Sequence, residues 1–166
     1  MQSSRSLGAY GVTLVLGLFG ATGLVRGCAP PPPPTSAAIN VTTDCAARIN
    51  TARSNAGLAP VKVDSRITLA AEAHSTEQAQ RKLMTHTGTN GSNAGQRLNV
   101  LGYAWRTWGE NVAAGQGDCA SVVSAWMNSA PHRANILNPA MKDMGIGAVA
   151  TMAGTIYWTL DLAAPK

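Results

Sequence analysis

The chain has 166 residues, enough for one domain and a targeting segment. Hydrophobic residues make up 45% and charged residues 13%, which excludes a highly charged disordered chain. The formal net charge is +5, but the positives are scattered and no basic stripe is interleaved with aromatics. That speaks against a nucleic-acid partner and leaves a mild attraction to an anionic envelope.

Residues 1–27 have the layout of an export signal. Arg5 supplies a positive start, and no charge follows from Leu7 to Val25. The tract is short and rich in glycine, poor material for a permanent spanning helix. It ends in Val25-Arg26-Gly27-Cys28, which resembles the lipoprotein box. Gly27 and Cys28 fit that pattern and Arg26 departs from it. Lipidation at Cys28 and an ordinary leader therefore both remain open, and the expected membrane link is through the N-terminus alone. Residues 28–40 form a linker, in which Pro30 to Pro34 favour an extended spacer of ~3.1 Å per residue. A plain disordered tether explains the same residues. The folded domain is expected at 41–166, long enough for one core.

Helix one is expected over Asp44 to Ala56, capped by Thr43 and stopped by Gly57. Val61 and Val63 follow as an extended link. Helix two spans Ser65 to Met84 with Asp64 as cap, and its inner stripe reads Ile67, Ala70, Ala71, His74, Gln78. His74 on such a stripe reads as a buried, hydrogen-bonded histidine. Helix three covers Asn93 to Leu101 after the turn Asn90-Gly91-Ser92. An extended segment starts near Tyr103, and Glu110 to Ala113 is a short strand or a loop. Helix four runs from Cys119 to Asn128 behind Asp118, with a further turn over His132 to Leu137. Two strands close the chain, Met144 to Ala150 and Thr155 to Leu162, paired as a hairpin about Ala153-Gly154. In the second, Ile156, Trp158, Leu160 and Leu162 face a core and alternate with polar positions. Four helices with a small antiparallel sheet make an α+β fold. No glycine-rich loop follows a strand, so nucleotide binding lacks support.

Cys45 opens helix one and Cys119 opens helix four. With Cys28 lipidated or removed, these two remain as an even pair. In an exported chain they are expected to be bonded, with two buried thiols as the alternative.

Midway through the domain, Trp108-Gly109-Glu110-Asn111-Val112 sets one acid among small and apolar residues, with His86 before it and His132 after it. One carboxylate and two imidazoles are the minimum for a divalent-metal site or an acid–base pair. Each alone is as well explained as a structural residue.

Leu83-Met84-Thr85-His86, Gly109-Glu110-Asn111-Val112, Trp126 through Ile136, Met144-Gly145-Ile146-Gly147 and Tyr157-Trp158-Thr159 stand in one order. That order resembles the bacterial branch of the CAP superfamily, which groups cysteine-rich secretory, antigen 5 and pathogenesis-related proteins. Asn50, Arg53 and Leu69 to His74 are similar to it as well. The resemblance implies an α-β-α sandwich with a groove faced by His86, His132 and Glu110. The second acid of eukaryotic members is replaced here by Ser129. Asn111 and Asn135 become candidates to orient the site. The resemblance further implies an exported or envelope-anchored monomer. Such a protein would bind a lipid or sterol-like ligand, a protein or an envelope component without catalysis. The alternative is a metal-dependent, peptidase-like hydrolase using His86, Glu110 and His132. A divalent ion, zinc first, would then sit on His86 and His132, with Glu110, water or Ser129 completing its shell. A third possibility is a structural surface domain with a vestigial cleft.

Overall fold

The structure is a computed structural model that describes residues 37–38 and 41–166. The export signal, the lipidation site and nearly all of the proline linker lie outside the described residues. Ala37–Ala38 (β1), from the segment assigned to that linker, pairs antiparallel with Val149 and Ala150. The remaining elements follow in order. They are α1 Thr42–Asn55, β2 Lys62–Val63, α2 Ser65–Arg81, α3 Ala94–Val100, β3 Trp105–Ala114, α4 Cys119–Asn128, α5 Ala130–Ile136, β4 Asp143–Ala150 and β5 Ile156–Pro165.

The sheet order is β1-β4-β5-β3, with β2 joining β4 in parallel. The sheet is therefore mixed. β4 and β5 form the expected hairpin, in register from Asp143↔Ala163 to Ala150↔Ile156. β3 is one ten-residue strand against β5 and leaves its other edge free of strands among the described residues. α2 and α3 cover one face, while α1, α4 and α5 cover the other. This is an α-β-α sandwich with five helices among the described residues.

The larger core lies on the α1, α4 and α5 side. Ile49, Val122, Trp126 and Ile136 meet Met144, Ile146, Trp158, Leu160 and Leu162 there. Arg53 is buried beneath this layer. Its guanidinium donates to the carbonyls of Ala59 (2.9 Å), Ile136 (2.7 Å) and Asn138 (3.0 Å), so one cation gathers the ends of two loops. Burial lowers its pKa.

On the opposite face α2 lies almost directly on the strands. Gly145 and Gly147 make that approach possible. A Cβ on Gly147 would stand 2.5 Å from Glu72 Cα, and one on Gly145 would strike the backbone of Ile67 and Thr68.

Several boundaries differ from the sequence expectation. Thr43 is inside α1, and the position before the helix is Val41, which has no side-chain cap. α2 ends at Arg81, three residues early, because Lys82 turns left-handed at φ 51° and Leu83 N–H closes back on Gln78 O. Asp64 and Asp118 cap their helices as expected, and Asn93 caps α3 in a capping box with Gln96.

Cys45 and Cys119 form a disulfide between α1 and α4, with 5.1 Å between Cα atoms across a separation of 74 residues. Closing a loop of that length stabilises by about 4 kcal/mol in the chain-entropy model. Cys45→Ala/Cys119→Ala is expected to lower unfolding stability by about 2–5 kcal/mol in a denaturant titration. A loss below about 1 kcal/mol would place the holding force elsewhere. The glycine contact gives a second expectation. Gly147→Ala should cost about 2 kcal/mol or more through overpacking. Gly117→Ala, whose Cβ meets nothing within 4 Å, serves as control and should be neutral or slightly stabilising.

Candidate functional site

The site begins on α2, whose sheet-facing side carries the buried polar residues His74, Ser75 and Gln78. Buried polar groups need partners, and these bind β4, β5 and the loop at Thr85. Ser75 Oγ lies 3.0 Å from Gly147 O and 2.9 Å from Thr159 Oγ1, tying α2 to β4 and β5. Gln78 also donates to Thr159 Oγ1 at 2.9 Å and accepts from Thr85 N–H at 3.2 Å. His74 Nε2 lies 2.7 Å from Thr85 O. A carbonyl only accepts, so the His74 proton sits on Nε2. Burial first, then the charge of Arg97, lowers the His74 pKa and keeps the ring neutral. Thr85 is thus held from both its N–H and its C=O, and His86 follows it directly. His74 is the buried, bonded residue the stripe suggested, and it also lies 3.9 Å from a Glu110 oxygen.

β3 supplies the acid. Successive strand residues point to opposite faces. Glu110 therefore faces α2 and α3, while Asn111 faces α5. The Glu110 side chain is only 2% exposed. Its Oε1 accepts from His86 Nδ1 at 2.8 Å, and its Oε2 accepts from Arg97 Nη2. Arg97 also donates to His86 O (3.3 Å) and Ser92 O (3.0 Å). The His86 side chain is 60% exposed at the mouth of the site. Its hydrogen bond with Glu110 is the main cause that raises its pKa, against a smaller effect of burial.

On the other side of β3, Asn135 Nδ2 donates to Glu110 O (3.1 Å) and Asn111 Oδ1 (2.8 Å), and Asn111 Nδ2 donates to His132 O (3.0 Å). Gly109 permits this contact, because a Cβ there would come within 2.9 Å of Asn135 Oδ1. The two histidines consequently approach the free edge of β3 from opposite layers. Burial first, then the charge of His86, lowers the His132 pKa. A cavity of about 290 Å³ opens at this edge, lined among others by His86, Trp108, Glu110 and Asn135. His132 and Ser129 do not line it. Ser129 is the half-buried junction between α4 and α5 and makes no side-chain cap bond.

Each Glu110 oxygen accepts one hydrogen bond, from His86 and from Arg97, so a metal ion on this carboxylate would lie beside a guanidinium. Among the described residues no three His, Cys, Asp or Glu side chains converge as a metal shell. Two imidazoles fall short of the three protein ligands of a catalytic zinc site.

The sequence had singled out neither Arg97 nor Asp161. Asp161 stands directly opposite Glu110 on β5 and is fully buried. Burial, then the Glu110 charge, raises its pKa well above the usual carboxylate range. One signal could have marked it: it is a lone acid inside the apolar run Leu160 to Ala164.

These environments fix an order of titration. A proton NMR titration should find His86 above the unperturbed value of ~6.5, with His74 and His132 below it. The stability that His86 contributes is complete below ~6.5 and is lost as pH rises through its raised folded pKa. Glu110→Gln should bring the His86 midpoint down. A His86 midpoint below that of His132 would contradict the geometry.

The comparisons with known proteins agree with this architecture. The model of the cysteine-rich secretory protein family, CAP, matches residues 46–162. YkwD of Bacillus subtilis is 36% identical over 110 residues, which are 66% of this chain and 42% of that protein. The chain thus spans less than half the length of this relative. Among solved structures, an outer surface protein of Borrelia burgdorferi superposes with a TM-score of 0.71 at 19% identity. That match covers 79% of this chain and 99% of the neighbour. An extracellular protein with an SCP domain from Bacillus anthracis gives 0.67 at 24% identity, covering 74% of this chain and 40% of that one. These structural likenesses speak for the fold. With the family match spanning most of the folded domain, the chain belongs to the cysteine-rich secretory protein (CAP) family.

Proposed function

We propose that the protein is an exported CAP-domain module that binds a lipid or sterol-like amphiphile at the His86–Glu110 cleft without turning it over. The observation that carries this reading is the state of Glu110. Its two oxygens accept from His86 and from the Arg97 guanidinium, so the acid is already engaged by a cation and by the imidazole, which favours a holding role over a reacting one. His86, exposed and inclined to carry a proton, then serves as a donor to a polar or anionic head group.

Apolar surface lies close in sequence and structure. Leu83 and Met84, just before the His86 turn, are half exposed. A second cavity, of about 430 Å³, lies between α2 and α3. Ala70, Ala73, Val100 and Leu101 are among its apolar lining, and Arg97 and Glu77 among its polar lining. That volume is within the range of small-molecule sites. The leader-like N-terminus supports export, as do the extracellular and outer-surface descriptions of the neighbours from Bacillus anthracis and Borrelia burgdorferi.

A zinc-dependent hydrolase is the competing reading, and one preparation separates the two. The purified protein is titrated with a fatty acid, a sterol and phospholipid vesicles, with and without zinc. Ester and peptide hydrolysis are followed in the same samples. Saturable binding without turnover is expected. His86→Ala should weaken it by about tenfold or more with an unchanged circular dichroism spectrum. Zinc-dependent turnover that disappears in His86→Ala would establish the hydrolase instead.

A further inference from the structure

Asp161 takes no part in the binding just described, yet it is among the most enclosed ionisable groups in the described fold. Its residue is 0% exposed, and neither carboxyl oxygen has a hydrogen-bond partner among the described residues. A buried carboxylate without a donor is costly enough that the group neutralises instead. The neighbours explain why no donor reaches it. On β4 it faces Gly145, which has no side chain, and the backbone of α2 seals that position. On β3 it faces Glu110, and residues directly opposite in an antiparallel pair lie on the same face with Cβ atoms about 4.5–5.5 Å apart. Two carboxyl groups at that separation in a dry site do not both ionise.

Glu110 is the member of the pair that already receives positive partners, from Arg97 and His86. Asp161 receives none among the described residues. We propose that Asp161 is a positioning residue: as a neutral carboxylic acid it donates its O–H to Glu110, so that the pair holds one proton and one negative charge. Glu110 then accepts from three donors, His86 at the cleft, Arg97 of α3 and Asp161 from beneath. Among the described residues, His74 of α2 also lies beside the pair, 3.9 Å from a Glu110 oxygen, and Glu77 stands behind it, 3.7 Å from His74 Nδ1. His74 stays neutral with its proton turned to Thr85 O, and Glu77 is engaged by the N–H and hydroxyl of Thr89. Neither supplies a competing donor. The raised pKa of Asp161 agrees with this assignment.

The arrangement has two consequences. The cleft acid is locked from behind as well as from its mouth, so its orientation toward His86 does not depend on a ligand. Folding at neutral pH also takes up a proton, because an unfolded Asp is ionised above ~3.9. With a raised folded pKa, the stability associated with Asp161 is full below ~3.9 and is lost as pH rises toward the folded pKa.

Asp161→Asn separates a proton donor from a charge, since the amide keeps a donor and never ionises. Three measurements on the intact protein test the proposal. In wild type labelled at the Asp carboxyl carbons, carbon NMR should show the Asp161 resonance at the protonated-acid position at neutral pH. In Asp161→Asn the His86 midpoint should stay within about 0.3 of wild type, because the exchange does not alter charge. The stability of Asp161→Asn relative to wild type should increase as pH rises from about 4 to 7. If Asp161 were instead ionised, Asn would remove a negative charge beside the site. His86 would then titrate lower by about one unit, and the carbon resonance would be that of a carboxylate. Either result overturns the proposal. The carbon measurement on wild type decides it alone if the variant fails to fold.

Discussion

The contact that the rest of the structure depends on is α2 lying on the glycines of β4. Where most helices rest on a layer of side chains, this one meets strand backbone at Gly145 and Gly147. The close approach removes the space in which water could reach the sheet on that side. The polar residues of that face must therefore satisfy one another. Ser75 and Gln78 do so with Thr159, and His74 and Gln78 clamp Thr85. The same exclusion of water places Glu110 and Asp161 side by side in a dry environment and makes their partners matter energetically.

A second geometric fact turns this buried layer into a site. β3 is an edge strand, so its two faces and its free edge are accessible to different elements. Strand alternation sends Glu110 to the α2 side and Asn111 to the α5 side. Gly109, just before them, leaves room for Asn135 to bridge both. The segment Gly109-Glu110-Asn111 is thus a three-residue connector between layers. His86 meets it from one side and the backbone of His132 from the other. A cleft built this way has a rigid acid, an exposed imidazole at its mouth, and asparagines that set the spacing.

Much of the fold was legible because its signals are local. The alternation of Ile156, Trp158, Leu160 and Leu162 gave the inner face of β5, and Asp64 and Asp118 marked two helix starts. The pair Cys45 and Cys119 was readable from cysteine number and export context. Helix ends were less legible, since Lys82 adopts a left-handed turn that its residue type does not announce. For the site, motif spacing singled out His86 and Glu110, but nothing in the spacing reveals what holds them. Arg97 is one basic residue among many until α3 docks beside β3. Asp161 occupies a position that strand alternation assigns to solvent. It is buried because a second helical layer covers that face, which is a tertiary fact rather than a periodic one.

Neutron diffraction from a deuterium-exchanged crystal at neutral pH would test most directly whether Glu110 is a held anion and not a working base or metal ligand. It should show deuterium on Asp161 directed at Glu110, deuterium on His86 Nδ1, and both Glu110 oxygens bare. Deuterium resident on Glu110, or a metal ion bonded to its carboxylate, would contradict that picture.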